Sequence, residues 1–334
     1  MCANTRANKW LFSILFVVFS AVSFAKPLVI AHRGASGYLP EHTLEAAALA
    51  YMQSADYIEQ DLVVSKDGHL VVLHDIYLDS TTNVADIFPK RHRKDGRFYA
   101  VDFTLQELKS LNVHERRNKD GRNVFPNRYR GQAHYTLSTF DEQFELINEL
   151  NRQFNRHVGW YIEIKAPEWH KQEGHDIAQL LVTSLKQKSL NKMDANVYVQ
   201  CFDWAHTKRL RNELGLNTKL VQLIAENSWQ ESTTDYEFLK TEDGVKAVAK
   251  VANGIGPWIP QLVNLSDDKP TSTGYRELAA KYGLAVHPFT FRKDQLPKGV
   301  TSDQALDVLF KELQVDGIFT DFTDTVMLYL ERNE

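Results

Sequence analysis

Residues 28–75 read LVIAHRGASGYLPEHTLEAAALAYMQSADYIEQDLVVSKDGHLVVLHD, and in this stretch reactive side chains follow short apolar runs. The first run, Leu28–Ala31, is continuously apolar, which is typical of a strand buried on both faces of a parallel sheet. It ends at His32 and Arg33, and Gly34 supplies the conformational freedom for a turn. In parallel α/β folds, chemistry is carried at such strand ends.

A helix is predicted next, over 43–55, because this stretch is rich in strong helix formers and begins with Thr43, a residue that can cap. A second strand is predicted over 57–64. After a turn at 66–68, the apolar run that follows folds back on this strand as a hairpin and brings His74 near its end. Strand, helix and strand in this order open an α/β fold.

Two acidic residues, Glu59 and Asp61, stand two positions apart on the second strand, so both carboxylates point to the same side. Like charges this close need a cation between them. A ligand set made only of oxygen atoms favours Ca²⁺ or Mg²⁺ over zinc. Glu163, on a strand predicted over 159–165, would complete the site, and Lys165 lies on the same face of that strand.

Helices and strands alternate from Thr139 to the end of the chain. Eight strands can be counted between 28 and 320, with no antiparallel block, which favours a (β/α)₈ TIM barrel over a doubly wound sheet. We expect one catalytic domain over 26–334, with an insertion after the second strand at approximately 76–136. The six later strands are predicted at 159–165, 197–201, 220–224, 254–257, 284–288 and 317–320.

Five short motifs together resemble those of the glycerophosphodiester phosphodiesterases, in particular the secreted bacterial type. They are HRGA at 32–35, PEHT at 40–43, Glu59-x-Asp61, His74-Asp75 and Glu163-x-Lys165. One departure is His42, where many relatives carry asparagine. We expect this difference to have little consequence, because the position opens the following helix.

The resemblance implies the TIM barrel, and it implies metal-dependent hydrolysis of glycerophosphodiesters to glycerol 3-phosphate and an alcohol. Substrates of this class are deacylated phospholipids such as glycerophosphocholine or glycerophosphoethanolamine. Two histidines act as general acid and general base in the family, and the substrate's own glycerol hydroxyl attacks to give a cyclic phosphate. Which histidine has which role stays open.

The candidate site residues follow from these arguments. His32 and His74 are the catalytic pair, since imidazole titrates near neutral pH. The metal ligands are Glu59, Asp61 and Glu163, with Ca²⁺ expected and Mg²⁺ as the alternative. The candidate substrate-binding residues are Arg33, Lys165, Glu41 and Gln200.

Other residues admit two interpretations. Asp75 either orients His74 or caps a turn. Four residues near predicted strand ends, where substrate contact and packing explain them equally well, are Trp258, His287, Phe289 and Asp321. We interpret six further histidines as structural: His42, His69, His92, His114, His134 and His157.

Basic clusters occur at 90–94 and 116–130, within the expected insertion. The first interpretation is a solvated surface lobe. In the second interpretation, the arginines attract anionic phosphodiesters and form one side of the pocket. Neutral replacements would then raise the Michaelis constant, most strongly at low salt.

The first 25 residues have the pattern of a secretory signal peptide, with Arg6 and Lys9 before an apolar run at 10–22 and cleavage expected near Ala25. This run is too short to cross a bilayer, for which about 20 residues are needed. We therefore expect a periplasmic or secreted protein without stable membrane insertion. Only Cys201 would remain, so no intramolecular disulfide is expected.

The chain has a formal net charge of −4, and removal of the signal peptide makes it more acidic still. A net acidic chain argues against nucleic acid as a partner and fits an enzyme acting on a small molecule. The sequence leaves the oligomeric state open, a dimer included. Two rival functions are a lysophospholipase D acting on lipid-bearing substrates and a binding protein that kept the fold without turnover.

Overall fold

The central element is a parallel β-barrel, seen in a computed structural model that describes residues 26–266 and 269–333. The predicted signal peptide lies outside the described residues. The strands of the described chain are β1 Leu28–Ala31, β2 Tyr57–Val64, β3 Leu70–Val72, β4 Ser138–Thr139, β5 Gly159–Ile164, β6 Val197–Cys201, β7 Lys219–Ile224, β8 Gly254–Pro257, β9 Ala285–Val286 and β10 Gly317–Thr320.

Eight of these strands are parallel neighbours in the order β10, β1, β2, β5, β6, β7, β8, β9. The ring closes between β9 and β10, where the Phe319 amide donates to the Pro288 carbonyl at 3.0 Å and Phe291 bridges to Thr320. The predicted (β/α)₈ TIM barrel is therefore confirmed.

The predicted hairpin is also present, because β3 runs antiparallel to β2 with Leu62 opposite Val72. The short strand β4 then pairs antiparallel with β3, which the sequence analysis did not predict. Two residues give no recognisable alternation pattern, so a strand this short carries no local signal.

Helices follow the barrel strands and cover its outer face. They are α1 Leu44–Met52, α2 Val84–Ile87, α3 Leu105–Lys109, α4 Phe140–Phe154, α5 Pro167–Gln172, α6 Ile177–Gln187, α7 Trp204–Asn212, α8 Tyr236–Leu239, α9 Glu242–Ala249, α10 Tyr275–Lys281, α11 Ser302–Asp307 and α12 Thr323–Asn333. The 3₁₀ turns are Ala100–Asp102, Asn227–Trp229 and Ile259–Gln261, and a π-helical turn spans Val308–Glu312.

The helix start predicted at Thr43 is confirmed, and two further helices also begin at threonines. Thr43 accepts a hydrogen bond from the Ala46 amide, and Thr104 and Thr139 each form a capping box with a glutamate three residues later. Helix α6 begins after Asp176, whose side chain accepts from the Gln179 amide. The chain before it forms a separate helix, α5, with Pro167 in its first turn.

Aromatic rings fill the inside of the barrel below the strand ends. Tyr161 and Tyr198 stack with their centroids 4.8 Å apart, and Tyr57 and Phe319 pack edge-on against Tyr161. This layer makes the lower barrel a packed core. Within this layer, the buried His287 lies 2.9 Å from the Tyr161 hydroxyl, whereas the candidate site residues converge at the carboxyl-terminal mouth. The chain between β3 and β4 has its own buried apolar cluster, which includes Phe103 and Leu108.

Candidate active site

Three carboxylates meet at the mouth of the barrel. Asp61 on β2 lies directly opposite Glu163 on β5, and Glu59 precedes Asp61 on the same side of β2. One oxygen from each residue lies within 4.8 Å of the others, and the three residues are only 3%, 1% and 5% exposed for Glu59, Asp61 and Glu163. The predicted acidic cluster therefore forms.

The proximity of these acids perturbs their protonation. Burial, reinforced by the Asp61 and Glu163 charges, raises the pKa of Glu59 well above its ordinary value. Burial likewise raises the pKa of Glu163 to about 8, although Lys165 acts in the opposite direction. Burial also opposes ionisation of Asp61, but the hydrogen bond and charge of His42 hold its pKa well below the ordinary range. Without a cation, repulsion and burial oppose ionisation of all three groups at neutral pH.

The donor set fits a hard divalent cation. Asp61 Oδ1 is buried and has no hydrogen-bond partner among the described residues, and the same holds for Gln200 Oε1. The Gln200 amide donates to Glu59 Oε1 at 2.9 Å, which places Gln200 beside the cluster. Unpartnered oxygen atoms next to three carboxylates are the ligands that Ca²⁺ and Mg²⁺ take. Glu59, Asp61 and Glu163 could therefore bind one such ion.

His32 lies at the end of β1 and is held by an acid from the other end of the chain. Its Nδ1 lies 2.6 Å from Asp321 Oδ1, just beyond β10. Arg292 and His32 hold the pKa of Asp321 low against the effect of burial, so this carboxylate is an acceptor and Nδ1 carries the proton. The other ring nitrogen, Nε2, faces Glu59 Oε2 at 3.8 Å.

His74 has a similar arrangement at the end of the hairpin. Its Nδ1 lies 2.6 Å from Asp75 Oδ1, so Asp75 orients the ring, as one of the two sequence interpretations proposed. Its Nε2 lies 3.5 Å from Lys165 Nζ. Burial, with the charges of Arg33 and Lys165, lowers the pKa of His74 to about 3. Burial and Arg33 lower the pKa of His32 to about 4, so both imidazoles are neutral at pH 7.

Arg33 is fixed by a strained turn between β1 and α1. It adopts a left-handed φ of 60°, its amide donates to Glu59 Oε2 at 2.9 Å, and Gly34 follows with φ 77°. A Cβ on Gly34 would lie 2.8 Å from the Ala46 carbonyl carbon, so only glycine allows the turn to pack on α1. Arg33 Nε lies 3.6 Å from Asp61 Oδ2, so this side chain also pairs with a predicted metal ligand.

Two of the predicted substrate-binding residues lie behind the surface of the cavity. Glu41 accepts from Arg33 Nη1 at 3.1 Å, so we interpret it as positioning Arg33. Lys165 donates to Glu163 Oε1 at 2.6 Å and is buried, so it balances part of the charge of the cluster. Arg33 and Gln200, in contrast, line the cavity directly.

His42 has a larger role than we expected from the sequence. It does precede the cap of α1, but it does so with a left-handed φ of 64° and is buried. Its Nε2 lies 2.8 Å from Asp61 Oδ2, so it binds a predicted metal ligand. The expectation of little consequence was based on helix position alone and overlooked this contact. Such outer hydrogen bonds orient metal ligands.

The 76–136 segment also contributes to the site, through two arginines. Arg116 binds Glu41 at 2.6 Å and Asp75 at 2.7 Å. Arg128 binds Asp321 at 2.7 Å and the Asp294 carboxylate at 2.9 Å. Each carboxylate that orients a histidine is thus held by one arginine of this segment.

The first basic cluster, at 90–94, has a different environment. Arg91 pairs with Glu107, and Arg93 pairs with Asp102 and Glu173. These charges are neutralised by acidic partners, and neither arginine lines the cavity, which favours the surface-lobe interpretation for this cluster. Arg116 and Arg128 do not line the cavity either, so they act on other residues of the site.

One cavity of about 200 Å³ unites the site. Arg292, which donates to Asp321 at 2.8 Å, lines it and adds a second guanidinium that the sequence analysis did not identify. The lining residues are His32, Arg33, Glu59, Asp61, His74, Glu163, Gln200, Phe202, Leu223, Trp229, Glu231, Trp258, Phe289, Thr290, Arg292 and Phe319. Two imidazoles, two guanidiniums and an acidic cluster can together bind and cleave a phosphate ester.

Residues 32–325 match the glycerophosphoryl diester phosphodiesterase family. The chain belongs to this family. A glycerophosphodiester phosphodiesterase of Haemophilus influenzae is 44% identical over 326 residues, covering 91% of this chain and 90% of its own. One of Treponema pallidum is 34% identical and covers 95% of each chain.

Solved structures agree with the fold. An Oleispira antarctica phosphodiesterase, solved in complex with the product sn-glycerol-3-phosphate, superposes with a TM-score of 0.60 at 20% identity, covering 91% of this chain and 97% of its own. The chain is a glycerophosphodiester phosphodiesterase, which excludes the rival of a binding protein without turnover. Within the described residues, no helix is long and apolar enough to cross a bilayer.

Replacing Arg116 should impair turnover more than substrate binding. Arg116→Met frees Asp75 and Glu41, so His74 and Arg33 lose their fixed orientation, and misplacement by about 1 Å can cost about 100-fold in rate. We expect kcat to fall by about 10- to 100-fold with a smaller rise in KM, and Arg116→Lys to lie between this variant and the parent. Steady-state kinetics on glycerophosphocholine, with circular dichroism to verify folding, measures this.

Arg122→Met is the matched control, because Arg122 lies in the same segment and its side chain is 78% exposed. It should retain the parent kinetics. An Arg116→Met protein that is folded and raises KM without lowering kcat would contradict the positioning role and support substrate attraction by this segment.

Proposed function

We propose that this enzyme hydrolyses glycerophosphodiesters such as glycerophosphocholine or glycerophosphoethanolamine to glycerol 3-phosphate and the free alcohol. The reaction would use a divalent cation at Glu59, Asp61 and Glu163 and proton transfer by His32 and His74. The observation that carries the proposal is that both imidazoles and all three acids line one cavity. The glycerol 3-phosphate held by the Oleispira antarctica protein supports the product assignment.

A divalent cation at the three carboxylates supplies positive charge to a phosphate oxygen and lowers the pKa of a hydroxyl that binds there. Arg33 and Arg292 line the same cavity and add fixed positive charge, in a planar geometry suited to phosphate oxygens. These groups offset the negative charge that repels a nucleophile from a phosphodiester. The position of Arg33 is fixed in advance, because Glu41 holds its side chain and Glu59 holds its backbone amide.

The two histidines are prepared for proton transfer in the same way. In each, Nδ1–H donates to an aspartate, so Nε2 carries no proton on the neutral ring. One imidazole takes the proton from the attacking glycerol hydroxyl. The other takes up a proton from water when the anionic phosphodiester binds beside it, and gives that proton to the oxygen of the leaving alcohol. A five-membered cyclic phosphate forms, and water then opens it with the two roles reversed.

Removal of divalent cations should abolish activity. We expect stripped enzyme to be inactive in excess chelator, and Ca²⁺ to restore glycerophosphocholine hydrolysis more fully than Mg²⁺, because three carboxylates and an amide oxygen suit the larger ion. Binding should also raise the melting temperature, since a ligand specific for the folded state stabilises it.

Substitutions separate this site from other acidic groups. Asp61→Asn should lose both the activity and the cation-dependent rise in melting temperature, whereas Glu168→Gln, an exposed acid on α5, should retain both. Full activity of the parent enzyme in excess chelator would rule out the cation, and equal restoration by Mg²⁺ would rule out the preference for Ca²⁺.

An activated substrate can assign the two histidines. His32→Ala and His74→Ala should each slow glycerophosphocholine hydrolysis by about 10²- to 10⁴-fold. The p-nitrophenyl ester of glycerol 3-phosphate has a leaving group that needs no proton. The variant lacking the general acid should therefore cleave this ester at close to the parent rate, and the variant lacking the base should not.

The measurement is kcat for both variants on both substrates, with His92→Ala as the control because His92 lies on the surface. Near-parent hydrolysis of glycerophosphocholine by either folded variant would show that its histidine is not catalytic. Equal recovery of both variants on the p-nitrophenyl ester would show that neither is the base.

The expected location is part of the same proposal. The pattern of residues 1–25 supports export and cleavage after Ala25, so the mature enzyme would begin at Lys26 in the periplasm or outside the cell. N-terminal sequencing of enzyme recovered from fractionated cells tests this. An intact Met1 terminus in the cytoplasmic fraction would contradict it.

A further inference from the structure

The cavity has two chemically different halves. The acidic cluster and the histidines come from β1, β2, β5 and the hairpin, whereas aromatic side chains follow β6, β7, β8 and β9. In the barrel order, these two groups of strands occupy different halves of the rim. A substrate whose phosphate binds at the first half therefore presents one of its ends to the second.

A pair of exposed tryptophans dominates the aromatic half. Trp229 follows β7 and Trp258 follows β8, and their rings meet edge to face, with centroids 5.2 Å apart and planes at 68°. Both line the cavity, and they remain 39% and 37% exposed. Because both indoles are partly exposed, they can contact a ligand. Covering them would be favourable, since exposure of apolar rings to water costs free energy.

A carboxylate accompanies this pair. Glu231 lines the same cavity two residues after Trp229, and its charge also contributes to raising the pKa of Glu163 and of Lys165. Arg33 and Arg292 lie in the cavity too, but each has acidic partners of its own. Glu231 thus adds a carboxylate to a cavity that also presents two aromatic side chains, and this combination attracts an organic cation.

We propose that Trp229, Trp258 and Glu231 form a subsite for a cationic alcohol of the substrate, and that it favours a quaternary ammonium group of the choline type. This inference rests on the proposed function, which places the phosphate at the opposite half. A quaternary ammonium has no N–H to donate and is weakly hydrated, so aromatic faces replace water around it at little cost. A primary ammonium loses more hydration, and an uncharged alcohol gains no attraction.

The test compares glycerophosphocholine with its carbon isostere, the 3,3-dimethylbutyl ester of glycerol 3-phosphate. The two head groups have the same shape, and only the first is charged. For the parent enzyme we expect kcat/KM to favour the choline ester by roughly 2- to 30-fold, which corresponds to the usual range of cation–π contacts. Glycerophosphoethanolamine should lie between the two.

Three substitutions should reduce this preference. Trp258→Leu and Trp229→Leu remove an aromatic face, and Glu231→Gln removes the charge, so each should bring the ratio toward one. The ratio of Glu231→Gln should also become less sensitive to salt than that of the parent. Trp258→Phe keeps a ring face and should retain most of the preference. Phe238→Leu is the control, because Phe238 is 43% exposed and does not line the cavity.

The outcomes separate this inference from the proposed function. Equal kcat/KM on the choline ester and its isostere would overturn the subsite while leaving the hydrolase assignment intact. No hydrolysis of any of these esters with Ca²⁺ or Mg²⁺ present would overturn the proposed function itself. Faster hydrolysis of micellar lysophosphatidylcholine than of glycerophosphocholine, lost in both tryptophan-to-leucine variants, would show that the pair contacts lipid and would also overturn the subsite.

Discussion

Burial of three carboxylates at one point is the constraint on which this site depends. Glu59, Asp61 and Glu163 lie together in a region almost closed to water, where their mutual repulsion is strong. His42 and Lys165 offset part of that charge. The pKa values of Glu59 and Glu163 are still raised, so His42 and Lys165 do not offset all of it. A divalent cation bound there would remove the remaining repulsion.

The charges around the cluster form a connected second layer. Asp321 and Asp75 fix the histidine rings, and Arg128 and Arg116 fix those aspartates in turn. Both arginines come from the 76–136 segment, so a part of the chain with little regular structure determines the precision of the barrel mouth. Buried arginines paired on two sides are costly to disrupt, because removal of one partner leaves an unpaired charge.

The sequence predicts the barrel, and it predicts most of the candidate site residues that meet in one cavity, because they lie at the ends of apolar runs with clear periodicity. It does not predict their partners. His32 and Asp321 are separated by 289 positions, and Arg116 is separated from Glu41 by 75. No local sequence pattern indicates such pairs, because the two residues of each pair come close together only when the chain folds into the barrel. His42 was misread for the same reason: its position before α1 is visible in sequence, and its contact with Asp61 is not.

One continuous piece of chain sets the distance between two of the reactive centres. Strand β2 carries Glu59 and Asp61 and turns directly into β3, which ends at His74, and the Leu73 amide donates to the Asp61 carbonyl at 2.9 Å. The hairpin register thus sets the distance between Asp61 and His74. An insertion or deletion of one residue in its turn would rotate every side chain of one strand to the opposite face. Grafting of these residues onto another barrel would therefore require β2, the turn and β3 to be transferred together, without a change in length.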